Sequence, residues 1–411
     1  MTLWDFYQTH QAPLIMPLLH ISWRGLRIDL PKRQEAIGEY TTREAIKTQE
    51  LHQVAGLELD PHSPKQLMEW VYGAHGIAPL QRQRVNSAGE RVSTPTLDEE
   101  AIEELLTREL PVRVKEALSL VLDIRATHKI LATYLQAPLD DDNRLRCSYA
   151  ITGTETGRLS SRETPRGTGT NLQNVPPGVA RAMVIPDDGM VFVAADLSQA
   201  EARVVAHLAR ETRLISVFQA GGDIHRRNAA AIFRKSESDV SPTERYLAKR
   251  VVHASNYGMG PNKFARVAGI PKAEAQRLLN LYFATYPRIK VWHLDVEATL
   301  RKSRTLRTPH GRVRQFLGVW GDELLRQGYA YVPQSTVADT LNDGLIDYET
   351  QRPGEILLQI HDSIMVQVPT GEVEAAVAQL RASLTRPITI HEGTCTIPVE
   401  IKRGTTWDDM H

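Results

Sequence analysis

Cysteine is nearly missing from this chain: Cys147 and Cys395 are the only two among 411 residues. Two thiols are too few for a disulfide framework or a zinc site, which points to a reducing compartment. Net charge is missing as well. Lysine plus arginine total 49 and so do aspartate plus glutamate, so attraction to a nucleic acid would have to come from local clustering. No apolar run approaches the roughly 18 residues that a membrane span needs. The opening Met1-Thr2-Leu3-Trp4-Asp5 has neither the basic start nor the apolar stretch of a secretion signal. These absences imply a soluble, cytoplasmic protein with no membrane partner. There is no internal repeat and no low-complexity tract. With 24% charged and 42% hydrophobic residues, the composition is that of a globular protein long enough for two or three packed subdomains.

What the chain does have is concentrated in residues 191–258. Val191-Phe192-Val193-Ala194-Ala195 predicts a buried strand ending on Asp196. Ser198 then stands where it would cap a helix. Arg245, Lys249, His253 and Tyr257 recur every four residues. At about 100° per residue each step drifts by only about 40°, so the four share one broad helical face. A strand-end carboxylate beside a cationic and aromatic stripe suits polyphosphate chemistry on a stacked base. Taken singly, such an aspartate is more often structural, and an unaided R-x-x-x-K is more often a solvated helix face.

Further along, 356–360 and 364–368 predict two apolar strands joined at His361-Asp362-Ser363, a β-hairpin with a carboxylate at its tip. Residues 152–176 form an extended loop rich in hydroxyls, amides and arginine, suited to phosphate oxygens and minor-groove acceptors, or simply a surface loop. Asp29 and Pro31 mark the start of a long charged helix, and Ser63-Pro64 the start of another. Residues 80–98 are polar and read as a mobile surface loop. Arg125 and Lys129, one turn apart, either touch phosphates or solvate a helix face. Helical patterning then runs to about Ser303, broken at Pro271 and Pro287, with Tyr282, Phe283 and Tyr286 packing the core.

These residues carry a resemblance. Asp196-Leu197-Ser198-Gln199-Ala200-Glu201-Ala202-Arg203 is similar to motif A of the family A DNA polymerases, the family of bacterial DNA polymerase I and many phage replicases. The segment from Arg245 through Lys249 to Tyr257-Gly258 resembles motif B, and the Asp362 hairpin resembles motif C. Residues 152–176 resemble the family's template-primer contact motif, with a lengthened middle (162–170) of the kind phage members often carry. Trp23-Arg24-Gly25, Thr308-Pro309-His310-Gly311-Arg312 and the closing Gly404-Thr405-Thr406-Trp407 also fit, so the likeness covers nearly the whole chain.

The resemblance implies an α+β right-hand polymerase with an antiparallel palm sheet and helical fingers and thumb. Its parts would be an N-terminal palm-associated segment 1–50, thumb 51–135, palm 136–206, fingers 207–325 and palm again 326–411. Asp196 and Asp362 would be the catalytic carboxylates, holding two Mg2+ ions together with the main chain of Leu197. Ser198, Gln199, Glu201, His225, Arg245, Lys249, His253 and Tyr257 would bind the dNTP, with Glu201 excluding a 2′-hydroxyl. Lys129, Arg158, Asn171, Gln173, Arg326, Gln334 and His361 would contact primer-template DNA, while Thr336 and Asp339 match supporting positions. Leu197, His253 and Ser363 depart from the residues usual in bacterial members. The chain begins at the polymerase module, so either this member lacks proofreading, or a 3′→5′ exonuclease lies on another chain or was trimmed away; a separate exonuclease or processivity factor would be a partner, in a bacterial or phage-infected cell. The alternative is a non-catalytic DNA-binding subunit that kept the fold.

Overall fold

The structure, a computed structural model, describes residues 2–85 and 90–410. They form two compact units: residues 1–27, 140–174 and 185–411 in the first, and 28–139 with 175–184 in the second.

The first unit is built on a four-stranded sheet. Its strands are β1 (Met190–Leu197), β2 (Ile356–Ile360), β3 (Ser363–Pro369) and β4 (Val399–Gly404), ordered β2-β3-β1-β4 and antiparallel throughout. Phe192 and Val193 are both fully buried although neighbours on a strand point to opposite faces. Both faces are therefore covered, which is why 191–195 reads as an unbroken apolar run. Val193, Ala195, Ile364 and Val366 join Leu341, Leu345, Tyr348, Leu380 and Leu384 in one core. β1 continues one residue beyond the expected end, through Asp196 to Leu197.

Helices α1 (Ala200–Leu208), α2 (Ile224–Phe233), α3 (Pro242–Asn256) and the 30-residue α4 (Asp322–Gln351) belong to the same unit. α3 opens on a capping box, Ser241 with Glu244, and has Pro242 in its first turn. Two buried hydrogen bonds pin it and α2 to the helix Lys272–Thr285. Tyr282 donates to Asn256 Oδ1 at 2.8 Å, and Tyr286 donates to Asn228 Oδ1 at 2.9 Å. Both tyrosines are core residues, as the sequence suggested, while Phe283 is partly buried against the same cluster.

In the second unit the helix Leu30–Ala55 starts at Asp29, whose side chain accepts from the Lys32 amide, and ends at Gly56 in the left-handed region. It packs beside the helix Val112–Ile130. Leu51, Trp70, Val71, Ile102, Leu105, Val121 and Ile124 fill the core between the unit's elements. Ser63 caps the helix Pro64–Met68 as its hydroxyl chemistry suggested.

Two expectations fail here. Residues 80–98 are a β-hairpin rather than a loop: Gln81–Val85 pairs with Arg91–Pro95 in the register Gln81↔Pro95 and Gln83↔Ser93. Gln81, Gln83 and Ser93 face solvent, so an isolated two-stranded hairpin carries little of the apolar alternation that reveals a strand. The expected loop tip 86–89 lies outside the described residues. Arg125 neither solvates a helix face nor is free for a phosphate: its guanidinium donates to the carbonyls of Pro61 at 2.8 Å and Leu97 at 3.1 Å. Lys129 is exposed one turn on. Arg125→Ala is therefore expected to destabilise this unit by about 2 kcal/mol, because two carbonyls lose a charged donor. Lys129→Ala, at the surface, should stay within about 0.5 kcal/mol of wild type. Urea unfolding of both variants measures the difference.

Candidate active site

The site is assembled at one end of the β3–β1–β4 pairing. Register alone brings the acids together. Asp196 lies opposite Ser363 of β3 on one side and Glu400 of β4 on the other. The Leu197 amide donates to the Asp362 carbonyl at 3.0 Å, so the β2–β3 turn is tied to the strand that carries Asp196. In that two-residue turn His361 adopts a φ of 51°, a left-handed conformation uncommon for a side-chain-bearing residue. It is held by Gln359 Nε2, which donates to the His361 carbonyl at 2.8 Å, and by the Ser363 hydroxyl, which donates to the Ile360 carbonyl at 3.0 Å.

Asp196 reaches solvent, yet protein crowds it on most sides. That crowding, with Asp362 and Glu400 nearby, pushes its carboxyl up to about 6, against partial relief from Lys402 and Lys249. Asp362 is also raised, chiefly by burial; Arg158 offsets part of this from 3.5 Å. Asp196 and Asp362, two oxygen donors whose ionised state is unfavourable, are suited to a hard divalent cation.

Above the acids the side chains lock one another. Glu201, on α1, accepts from Arg158 and from the Tyr257 hydroxyl. Burial and the adjoining Glu201 hold the Tyr257 phenol well above its usual range, so it stays a donor. Gln334 of α4 also bonds Tyr257, and His253 sets its ring edge-on to Tyr257 at 4.6 Å. Gly258 follows with φ of 65°, and a Cβ there would sit 2.9 Å from the Tyr329 ring, so the turn after α3 requires glycine.

The α3 stripe exists as its spacing predicts. Arg245 Nε donates to Asp223 Oδ2 at 2.5 Å, and the same aspartate caps α2 by accepting from the His225 and Arg226 amides. His225 is buried, and among the described residues its Nδ1 has no hydrogen-bond partner. Burial first, then Arg245 and Lys249, bring its ring down to about 4 against the pull of Asp223, so it is neutral at pH 7. Lys249 is exposed, with its field reaching Asp196, Asp362 and His225. Arg158 Nε is a second buried donor without a partner among the described residues.

The remaining sequence candidates divide. Ser198 does not cap the helix: Gln199 occupies that position with φ of 52°, while the Ser198 hydroxyl donates to Glu400 at 2.7 Å. The Gln199 side chain instead accepts from the Ile224 amide at 3.1 Å, joining α1 to the start of α2. Asn171 accepts from Ser161, and the buried Gln173 donates to Gln359 Oε1 at 2.8 Å, two residues from His361. Arg326 pairs with Glu323 on α4, within reach of Gly258. Asp339 is fully buried and clamped by Arg312 at 2.7 Å. Lys129 lies in the other unit. Glu400 and Lys402 were missed, because only strand register places them beside Asp196.

Comparison with known proteins gives this geometry a family. The chain matches DNA polymerase family A over residues 32–409 and belongs to it. It is 28% identical to DNA polymerase I of Caldicellulosiruptor bescii, covering 98% of this chain and 47% of that protein. With DNA polymerase I of Deinococcus radiodurans it shares 30% identity, covering 98% and 42%. With the thermostable DNA polymerase I of Thermus aquaticus it shares 28%, covering 98% and 48%. The chain thus spans about half the length of the curated relatives it matches. The polymerase domain of Pol1 from M. smegmatis, solved with DNA primer-template and dNTP, superposes with a TM-score of 0.84 at 24% identity, covering 98% of this chain and 70% of that one. The fold is therefore the α+β right-hand polymerase fold. Among the described residues, no helix is long and apolar enough to cross a membrane.

The crowding of Asp196 has a stability consequence. Folded, it keeps its proton up to about pH 6, whereas an ordinary aspartate loses it near 3.8. Ionising it therefore costs stability progressively as pH rises from about 4 to 6 and fully above that. In metal-free buffer, Asp196→Asn should unfold at a higher temperature than wild type at pH 7.5. The gain should vanish as pH falls toward 4, which a pH series of melting curves measures.

Proposed function

We propose that this chain is a template-directed DNA polymerase that adds deoxynucleotides to a primer 3′-hydroxyl, in replication or repair. The observation that carries the proposal is the meeting of Asp196, Asp362 and Glu400 beneath the Lys249 and Arg245 stripe. In this reading the first unit holds the fingers (207–325) and most of the palm (136–206 and 326–411), of which 136–139 and 175–184 fall in the second unit. The thumb (51–135) falls inside the second unit.

Family A polymerases use divalent metal ions. Here the finer assignment is a pair of Mg2+ ions held by the Asp196 and Asp362 carboxylates and the Leu197 main chain, with Glu400 beside them. Bound there, such ions would acidify the primer hydroxyl and neutralise charge on the departing pyrophosphate. The chain's own residues do the rest. Lys249 and Arg245 bind the triphosphate, one as a point charge and the other as a fork. Arg245 is pre-aimed by Asp223, and neutral His225, whose Nδ1 has no partner among the described residues, donates from that nitrogen to a phosphate oxygen in the tautomer that carries its proton there. Arg158, Asn171, Gln173 and His361 line the primer-template side. Glu201, held between Arg158 and Tyr257, cannot swing away from the sugar's 2′ edge without losing two partners. A fixed side chain there favours deoxynucleotides, since forcing extra atoms into a filled site costs about 1–3 kcal/mol.

Primer extension with Mg2+, comparing the four dNTPs with the four rNTPs, tests both claims. Wild type should extend with dNTPs and discriminate against rNTPs, and Glu201→Ala should narrow that preference at least tenfold. Asp196→Ala and Asp362→Ala should abolish extension while duplex binding persists. A wild type that binds primed DNA without extending it would favour a DNA-binding subunit instead.

A further inference from the structure

Away from that site, two histidines and an aspartate from distant parts of the sequence meet within the first unit. His10 lies in the helical turn Tyr7–Gln11, His310 in the turn between the strands Thr305–Arg307 and Val313–Gln315, and Asp343 on α4. One ligand atom from each lies within 4.8 Å of the other two. His10 Nδ1 is 2.6 Å from Asp343 Oδ1, and His310 Nδ1 is 3.7 Å from Oδ2. All three side chains are only 15–19% exposed.

The hydrogen bonds determine which nitrogen of His310 carries its proton. The Thr340 hydroxyl donates to the Thr336 carbonyl at 2.8 Å, which engages its only hydrogen. Its oxygen must therefore accept from His310 Nε2, at 3.0 Å. That leaves a bare lone pair on Nδ1 facing a carboxylate oxygen across 3.7 Å, too far for a hydrogen bond. Two acceptors aimed at one another across such a gap are completed by a cation. The guanidinium of Arg312, whose field reaches both histidines, is bound to Asp339 instead.

We infer that His10, His310 and Asp343 form a binding site for a divalent ion of the zinc class. Two imidazoles and one carboxylate are its preferred donors, and a water can fill the remaining position. Bonds of about 2.1 Å put tetrahedral ligands ~3.4 Å apart. His310 and Asp343 are already close to that spacing, and His10 moves outward by less than an ångström as its Nδ1 proton is released. Thr340 is the outer partner that orients a ligating ring. A bound ion would join the N-terminal turn, the turn carrying Arg312 and α4, elements that are otherwise far apart in sequence.

The test uses the full chain stripped with chelator and carrying His62→Ala and His128→Ala. That background is needed because Glu44, His62 and His128 form a similar, more exposed cluster in the other unit. Titration with Co2+ should give one equivalent of a visible absorption band typical of a low-coordinate ion, displaced by Zn2+. Zn2+ should also raise the melting temperature. The oxygen-only cluster at Asp196 favours six-coordination and contributes little to that band. His310→Gln should abolish both signals. Asp343→Asn, which keeps the hydrogen-bonding shape of the side chain, should weaken the ion at least tenfold. Absence of the band in the parent, or an undiminished band in folded His310→Gln or Asp343→Asn, would overturn the assignment.

Discussion

The antiparallel pairing of Met190–Leu197 with Ser363–Pro369 is the constraint on which the rest of the molecule depends. Asp196 opposite Ser363, and the Leu197 amide on the Asp362 carbonyl, bring together two acids 166 positions apart in the chain. A slip of one residue would turn Asp196 to the opposite face and move Val193 and Ala195 onto the face that packs Phe192, breaking the fit on both sides. The apolar residues that fix the register are thus the same ones that aim the carboxylates. Val399–Gly404, on the other side of the central strand, adds Glu400 by the same means.

Such a gathering of negative charge is unfavourable by itself, and the surrounding elements offset it. Arg158 lies against both Asp362 and Glu201, while Lys249 and Lys402 act on Asp196 through space. The helical layer holds Lys249 in place through polar pins as well as apolar packing: the buried pairs Tyr282 to Asn256 and Tyr286 to Asn228, and the half-buried Asp223 to Arg245. Two residues flanking the acids, Gln199 and His361, sit in the left-handed region without being glycine. Strain of this kind collects where function over-determines the backbone. In the proposed reading, ionised acids and strained turns both trade stability for a site prepared to bind cations and phosphates.

Much of this was legible before any coordinates. The strand before Asp196, the hairpin at Asp362, the α3 stripe and the Asp29 and Ser63 caps follow from periodicity and capping chemistry, which are local properties. What was not legible is what depends on partners. Ser198 looked like a helix cap but is drawn to Glu400, a residue two hundred positions away. Glu400 itself sits in an ordinary alternating strand, and nothing local marks it. Arg125 read as a surface cation because a lone arginine gives no sign of the two carbonyls it bridges. The hairpin Gln81–Val85 with Arg91–Pro95 was hidden because a pair of strands with solvent-facing glutamines and serine lacks the apolar alternation that betrays a strand.

The claim most directly open to measurement is that Asp196 and Asp362 share divalent cations when substrate is present. Crystals of the chain with primed DNA, a non-reactive dNTP analogue and Mn2+ would locate the ions by anomalous scattering. Peaks within coordination distance of both carboxylates are expected, next to the triphosphate and Lys249. A bound nucleotide with no anomalous peak at either acid, or ions held away from both, would contradict it.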